Sequence, residues 1–309
     1  MLPALMTSPH GRVRLGAVTT AAAALLGLAS CAPQENGTAT GSAPTSSDAS
    51  TAASAGSADP CAKGGLATRT AGTFTVATDN PAYGPWFSDN KPENGKGFES
   101  AVAYAVADRL GYGRDRVTWV KVPFNKAFAP GVKNFDVDIN QVSISDERRK
   151  AVDFSSGYYQ VRQAVIALKG SKIADARTTA DLKGAKLGAQ IGTTSLEVID
   201  SIIKPSVRPA VFDDNDLAKT ALKNRQVDGI VIDLPTAFYI TGAQVTDAKV
   251  VGQFDTAGGR PERFGLVLDK GSALTPCVTR AVDELRGDGT LAALEKQWLS
   301  EAVGAPVLK

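Results

Sequence analysis

Histidine is almost absent from this chain of 309 residues: its single copy, His10, lies before the first cysteine, Cys31. Any form processed at that cysteine has no histidine, which excludes histidine general bases, Ser-His-Asp and Cys-His nucleophile systems, and histidine-ligated metals. The three cysteines, at positions 31, 61 and 277, form no CxxC pair for a zinc or redox site. Catalysis by carboxylates or lysine stays possible, and we expect no metal and no cofactor.

Net charge is nearly absent as well, with 34 Lys and Arg against 32 Asp and Glu. Arg12 and Arg14 are the only charged residues before Cys31, so removing these two leaves 32 basic residues against 32 acidic ones. Nucleic acids are bound through a concentrated Lys/Arg surface that displaces counterions. A nucleic-acid partner is therefore not expected.

The N-terminus combines a basic segment at 10–14 with an uncharged apolar run at 15–30. This run is shorter than the roughly 20 residues of a membrane span, and its arrangement is typical of a secretory signal. The next residues, Leu28-Ala-Ser-Cys31, resemble the lipobox of bacterial lipoproteins. That resemblance implies a signal peptide at 1–30 and a lipid on Cys31, anchoring the protein to the outer face of the cell membrane. The alternative is an ordinary signal peptide with a chance cysteine.

Residues 32–59 contain no Leu, Ile, Val or aromatic residue. Such a segment cannot bury enough apolar surface to offset the entropy of ordering. We therefore expect the lipidated cysteine and a flexible tether over 31–60, with a mean reach of about 30 Å. Export also places Cys61 and Cys277 where disulfides can form. These two cysteines either form a bridge or remain as two buried thiols.

From residue 73 onward, short apolar strands alternate with helical segments, the pattern of an α/β fold. Strands are expected at 74–78, 117–122, 135–142, 164–168, 186–189, 227–232 and 264–268. Helices are expected at 98–110, 147–152, 195–203, 216–224, 274–285 and 291–299, with one more starting at Pro235.

Segments spread over about 66–300 together resemble the polar amino acid family of extracytoplasmic solute-binding proteins, of bacterial family 3 type, which serve ABC importers. The segments are Thr75-Val-Ala-Thr-Asp-Asn80, Gly97-Phe-Glu99, Phe135-Asp136, the run at 143–155, Tyr158-Tyr159, Asp181-Leu-Lys-Gly184, Gly192-Thr-Thr194, the run at 227–233, and Gly287-Asp-Gly-Thr-Leu-Ala292 before Trp298.

The resemblance implies a two-lobed α/β fold of the type II periplasmic-binding-protein kind, with a hinge of two crossover strands and a ligand cleft between the lobes. Lobe 1 would span 61–163 plus 264–309, and lobe 2 would span 164–263.

The resemblance also implies how the cleft would hold an amino acid. Arg148 would bind the ligand carboxylate through two parallel hydrogen bonds. The turn Gly192-Thr193-Thr194 would offer backbone N–H groups to the same carboxylate from the other lobe. Asp233 would bind the ammonium group, and Ser143 and the backbone near Gln141 would complete the contacts. Taken without the family, the same residues are a surface arginine, a threonine cap and a helix cap before Pro235.

Side-chain selectivity is expected to depend on an aromatic wall and on two amides. One of Tyr83, Trp86 and Phe87 would stack on the ligand, and core packing is the alternative for each. Asn140 and Gln141 stand where the family commonly has small residues, and would narrow the pocket and add directional hydrogen bonds.

Two acidic residues, Asp79 and Asp138, could favour a cationic ligand side chain or simply hold local loops, and we favour the loops.

The leading hypothesis is a monomeric, lipid-anchored receptor that closes around a polar amino acid, or a closely related zwitterion, and presents it to an ABC permease. The runner-up is an enzyme on the same fold, similar to cyclohexadienyl dehydratases, in which only a carboxylate such as Asp79 or Asp233 could serve as the acid. A solute sensor without transport is the third possibility.

Overall fold

The structure is a computed structural model of the chain, and it describes residues 59–63, 65–255, 261–299 and 304–309. The expected signal peptide, Cys31 and almost all of the expected tether lie outside the described residues. Within the described ranges, no helix is both long enough and apolar enough to cross a bilayer.

Strands and helices alternate along the described chain. The strands are β1 (Phe74–Thr78), β2 (Val117–Lys121), β3 (Val137–Asp138), β4 (Val152–Phe154), β5 (Tyr159–Val161), β6 (Gln163–Leu168), β7 (Leu187–Gln190), β8 (Ala210–Phe212), β9 (Gly229–Asp233), β10 (Ala248–Gln253), β11 (Glu262–Phe264) and β12 (Val267–Asp269). The α-helices are α1 (Phe98–Arg109), α2 (Phe124–Ala127), α3 (Asp146–Arg149), α4 (Thr194–Val198), α5 (Asn215–Lys223), α6 (Leu234–Tyr239), α7 (Thr275–Gly287) and α8 (Thr290–Leu299).

The strands form two five-stranded sheets, each the centre of one lobe. The first sheet has the order β2-β1-β3-β12-β4, and the second has the order β10-β6-β9-β7-β8. In the first sheet β1 runs parallel to β2 and β3, and β12 runs antiparallel to β3 and β4. In the second sheet β7, β8 and β9 are parallel, and β6 runs antiparallel to β9 and β10.

The chain passes between the lobes beside a small antiparallel ribbon of β5 and β11. It leaves the first sheet after β4 and runs through β5 into β6, and it returns from β10 into β11. The predicted two-lobed fold with two crossover segments is thus confirmed.

Each lobe buries its sheet between helices. In the first lobe, α1, α7 and α8 pack against one face around Phe74, Val76 and Phe98. In the second lobe, all six residues of β6 are buried, with Ile166 on one face and Val165 on the other. A strand covered on both faces reads as a continuous apolar run, which explains why the sequence predicted it.

Two expected elements are shorter than the sequence suggested. The strand expected over 135–142 narrows to β3, because the backbone turns at Gln141, whose φ is 51°. The helix expected over 147–152 ends at Arg149, and Val152 already begins β4. Ser145 caps this helix by accepting a hydrogen bond from the Arg148 backbone N–H at 3.2 Å.

The last residues lie against the second lobe, although the sequence analysis assigned them to the first. Val307 forms a parallel bridge with Gln253, and Leu308 is buried in the second-lobe core. The reason is that the Leu308 side chain packs closely against Gly252, where an added Cβ would lie 2.6 Å from the Leu308 Cγ. Leu308 therefore packs into space that only glycine leaves free.

Cys61 and Cys277 form a disulfide in the structure, with their Cα atoms 5.3 Å apart. Both cysteines are buried, and the bond joins the start of the described chain to α7. Of the two alternatives raised from the sequence, the structure has the bridge.

Candidate functional site

A small cavity of about 30 Å³ lies between the lobes. Its lining comes from both lobes: Asp79, Tyr83, Phe124, Asn140, Gln141, Ser143 and Arg148 from the first, and Gln190, Thr193, Thr194, Ser195, Asn215, Ile232 and Asp233 from the second. This volume is close to that of one water molecule. The lobes are therefore closed on each other around the residues that the sequence singled out.

Arg148 is the buried cation of this cavity, with 8% of its surface exposed. Its Nη1 donates to the Ser143 carbonyl at 2.6 Å, and its Nη2 donates across the cleft to the Gly192 carbonyl at 2.9 Å. The guanidinium also lies 4.4 Å from the Phe128 ring centroid. Burial lowers the pKa of Arg148, opposed by nearby carboxylates. Among the described residues no carboxylate forms an ion pair with it, so this charge is available to an anionic ligand.

The turn at 192–194 faces Arg148 from the second lobe. Gly192 has φ of 74°, and a Cβ there would lie 2.2 Å from Asn125 Oδ1 of the first lobe. Thr193 is a helix cap, since its Oγ1 accepts from the Leu196 N–H at 3.2 Å. Thr194 begins α4, and its hydroxyl lies 3.5 Å from that of Ser143. Glycine at position 192 thus suits the left-handed φ of this turn, and a Cβ there would require the exposed Asn125 side chain to turn aside.

Asp233 ends β9 and lines the cavity from the second lobe. Its side chain makes no capping hydrogen bond to α6, so the helix-cap interpretation does not describe it. Instead its Oδ1 accepts from Gln163 Nε2 at 2.7 Å. Burial, and then the charge of Glu262, raise the pKa of Asp233 to about 8, while the hydrogen bond from Gln163 lowers it. A cation placed beside Asp233 would reverse this shift.

Two of the three candidate aromatic residues do not line the cavity. Trp86 is fully buried and packs against Phe98 in the first lobe, while its Nε1 donates to Thr236 Oγ1 across the cleft at 2.8 Å. Phe87 is 2% exposed and packs edge-on against Trp119. Both take the core-packing alternative, which corrects the stacking role considered for them. Tyr83 does line the cavity.

The two amides at the end of β3 behave differently. Asn140 is 5% exposed and lines the cavity, and its Nδ2 has no hydrogen-bond partner among the described residues. Gln141 donates from its backbone N–H, at 2.7 Å, and from its side-chain Nε2 to the buried Glu99. Burial raises the pKa of Glu99 to about 7. Asn140 is therefore the amide left free for a ligand, and Gln141 is held by Glu99.

The two acidic candidates also differ in where they lie. Asp79 lines the cavity but accepts from the backbone N–H groups of Asn80 at 2.7 Å and Phe124 at 3.2 Å, as a loop-holding residue does. Asp138 is fully buried outside the cavity lining, and burial raises its pKa well above the ordinary range.

Sequence reasoning missed two polar residues behind the cavity, Gln163 and Glu262. Both belong to the crossover region, at the start of β6 and of β11. Single polar residues at strand ends belong to no motif, so no sequence pattern points to them. Phe124, the first residue of α2, lies beside Arg148 and was missed because it too belongs to no motif.

Comparison with known proteins agrees with this geometry. The family described as bacterial extracellular solute-binding proteins, family 3, matches residues 74–301. A probable histidine-binding protein of Campylobacter jejuni is 28% identical over 229 residues, covering 73% of this chain and 84% of the relative. The L-cystine-binding protein TcyJ of Escherichia coli K12 is 34% identical over 178 residues, covering 57% of this chain and 63% of the relative.

A solved structure of an ancestral amino acid-binding protein, described as a precursor of cyclohexadienyl dehydratase, is 29% identical with a TM-score of 0.60. The similarity covers 74% of this chain and 95% of that one. Sequence match, two-lobed fold and interlobe cavity lead to one conclusion. The chain belongs to the bacterial extracellular solute-binding proteins of family 3.

Proposed function

We propose that this protein captures a polar amino acid, or a closely related zwitterion, between its lobes and presents it to the permease of an ABC importer. One observation carries the proposal: the cavity between the lobes is lined by a buried cation, Arg148, from the first lobe and by a carboxylate, Asp233, from the second. The amino acid-binding relatives support the same ligand class.

These two charges match the two ends of an α-amino acid. The guanidinium of Arg148 has five N–H donors in a planar fork, which suits a carboxylate better than a lysine would. It now donates to two backbone carbonyls, which are neutral partners that a ligand carboxylate would replace. Asp233 would receive the ammonium group.

Ligand entry would require the lobes to part, because a cavity of about 30 Å³ cannot hold an amino acid. We propose that the moving bodies are 61–163 with 264–299, and 164–263 with 304–309, turning about the crossover segments. The ligand would favour the closed form by contacting both lobes. The receptor would act as a monomer.

We propose binding without catalysis. Of the two carboxylates an enzyme could use as its acid, Asp79 is held by backbone N–H groups. Asp233, with its raised pKa, would suit a proton donor, so turnover should be measured directly. Purified protein is expected to leave prephenate and arogenate unchanged, and conversion of either would establish the enzyme instead.

We also propose that a lipid on Cys31 anchors the protein to the outer face of the membrane. In cells labelled with a fatty acid, the wild-type protein should carry label and sediment with membranes, while Cys31→Ala should lose both properties. Membrane association that survives the substitution would contradict the anchor.

The binding proposal is tested by calorimetry with all twenty amino acids, ectoine-like zwitterions and opines. At least one should bind with a micromolar dissociation constant or better, about 8 kcal/mol. Arg148→Met should abolish the heat, whereas Arg149→Met, at the exposed neighbouring position, should not. No heat and no thermal shift from any compound would overturn the proposal.

Transport is tested separately in cells. Deletion of the gene should abolish uptake of the radiolabelled ligand that calorimetry identifies. Unchanged uptake together with an altered transcriptional response would favour the sensor.

A further inference from the structure

A carboxylate lies directly behind two hydroxyl groups of the cavity wall. Glu262, the first residue of β11, accepts from the Ser143 hydroxyl at 2.5 Å and from the Thr194 hydroxyl at 2.6 Å. Ser143 belongs to the first lobe and Thr194 to the second, and both line the cavity, whereas Glu262 does not. One oxygen of Glu262, Oε1, therefore receives a hydrogen bond from each lobe.

The direction of these bonds follows from the chemistry of the partners. An ionised carboxylate can only accept, and each hydroxyl has one proton to donate. The protons of Ser143 and Thr194 must therefore point to Glu262, away from the cavity. What each hydroxyl can turn toward the cavity is an oxygen lone pair.

Gln163 also directs its hydrogen-bond donors toward Asp233 and Glu262. Its Nε2 donates to Asp233 Oδ1 at 2.7 Å and lies 3.3 Å from both oxygens of Glu262 and from Thr194 Oγ1, which leaves Thr194 one lone pair for the cavity. The orientation of this amide is fixed on its other side, because Gln163 Oε1 accepts from the Ser195 hydroxyl at 2.6 Å. One amide group thus links the two carboxylates and directs its protons at them.

We propose that Glu262 is a positioning residue that makes this wall of the cavity an acceptor-only surface, and that it thereby selects ligands with an ammonium group. The inference rests on the proposed function, since it assumes a zwitterionic ligand. A ligand ammonium, which only donates, would meet Asp233, Ser143 and Thr194 as acceptors. A ligand carboxylate placed against these three side-chain oxygens would have no proton to offer, which directs it instead to Arg148 and to the backbone N–H groups of the 192–194 turn.

The test compares amino acids with analogues that lack only the amino group. The pairs are L-glutamine with glutaramic acid, L-arginine with guanidinovaleric acid, L-histidine with imidazolepropionic acid, and L-cystine with dithiodipropionic acid. For whichever amino acid binds, the ratio of the two dissociation constants is measured by calorimetry in the wild type and in Glu262→Gln. The glutamine side chain can donate to the hydroxyls, so their protons are free to turn toward the cavity.

We expect Glu262→Gln to reduce the preference for the amino acid by about tenfold or more, through weaker binding of the amino acid. The deaminated analogue should bind about as it does to the wild type. The matched control is Glu197→Gln. Glu197 and Glu262 both line a larger cleft of about 650 Å³ that adjoins Thr194, so this variant removes the same charge, but Glu197 has no hydrogen bond to either hydroxyl. It should leave the ratio unchanged.

Equal weakening of both members of a pair by Glu262→Gln would show a merely structural role and overturn the inference. If that variant does not fold, Thr194→Val provides the same test, because it removes one acceptor, and an unchanged ratio in that variant is equally contradictory. If the wild type binds none of the amino acids, the proposed function itself fails and the inference fails with it. If the wild type binds an amino acid but the ratio of dissociation constants is the same in the variants, only the inference about Glu262 fails and the proposed function stands.

Discussion

Arg148 of the first lobe donates a hydrogen bond to the backbone carbonyl of Gly192 in the second lobe, over 2.9 Å. The closed form is thus held in part by the group that is expected to grip the ligand. The left-handed backbone of Gly192, with φ of 74°, presents this carbonyl to the first lobe beside Asn125.

Gly192→Ala should lower stability rather than block closure of the lobes. The alanine would have to adopt φ of 74°, whereas Asn125 Oδ1, 2.2 Å from the added Cβ, is the end of an exposed side chain that can turn aside. Denaturant unfolding should show a loss of about 1–2 kcal/mol, while calorimetry should show an affinity close to that of the wild type. Gly184→Ala, where φ is not positive and nothing lies within 4 Å of the added carbon, is the control and should show no such loss of stability.

The hydrogen bond from Trp86 to Thr236 is a second contact between the lobes, buried at 2.8 Å. In Thr236→Val the indole N–H would stay buried without a partner whenever the lobes close, at a cost of about 1–3 kcal/mol. We expect at least a fivefold loss of affinity, and small-angle scattering of the ligand-free variant should give a larger radius of gyration. Thr241→Val, which removes a hydroxyl bonded within its own helix, should change neither quantity.

The raised pKa of Asp233 predicts opposite effects of pH on binding and on stability. Binding of an ammonium needs the ionised carboxylate, so affinity should rise between about pH 6 and the pKa of about 8. Below that pKa, complex formation should release a proton, which calorimetry in buffers of different ionisation enthalpy detects. Proton uptake, or affinity that is flat over this range, would contradict the assignment.

Without ligand, the sign for stability follows from linkage. The carboxyl of Asp233 has a higher pKa in the folded state than the ordinary 3.8, so the folded state holds its proton more tightly than the unfolded state. Its contribution to stability is complete below about pH 4 and is lost as the pH rises through about 8. Asp233→Asn should therefore gain melting temperature relative to the wild type as the pH increases, although it binds no ligand.

The disulfide closes a loop of 216 residues between Cys61 and Cys277. Replacing both cysteines with serine should lower the free energy of unfolding by about 2–5 kcal/mol. Ligand affinity should stay the same, since neither residue lines the cavity. Reductant should lower the melting temperature of the wild type but not that of the double variant. Alkylation under denaturing conditions should find no free thiol at these two positions.

The parts of the fold that could be predicted from the sequence are those with a continuous apolar run or a clear helix start. β6 and β9 are continuous apolar runs, and α1 begins after Gly97 at the predicted residue. β3 was predicted too long, because the sequence does not show that Gln141 donates hydrogen bonds to the buried Glu99, which hold the turn at Gln141.

Site residues could be predicted where they belong to a family motif, and the other site residues could not. Arg148 and Asp233 were named from the resemblance and do share the cavity. Trp86 and Phe87 were misjudged because an aromatic cluster near a cleft looks the same in sequence whether it faces the ligand or the core. Glu262 was invisible, since its importance arises only when the crossover brings it behind Ser143 and Thr194.

The C-terminal segment gives the chain a third passage between the lobes. Leu299 ends α8 on the first lobe, and Leu308 is anchored in the core of the second. Covalent geometry limits the distance between Leu299 and Gly304 to roughly 18 Å, however the chain runs. For the opening proposed above, the tail therefore sets an upper limit: the lobes can part only as far as this length permits before Leu308 is pulled from its place beside Gly252.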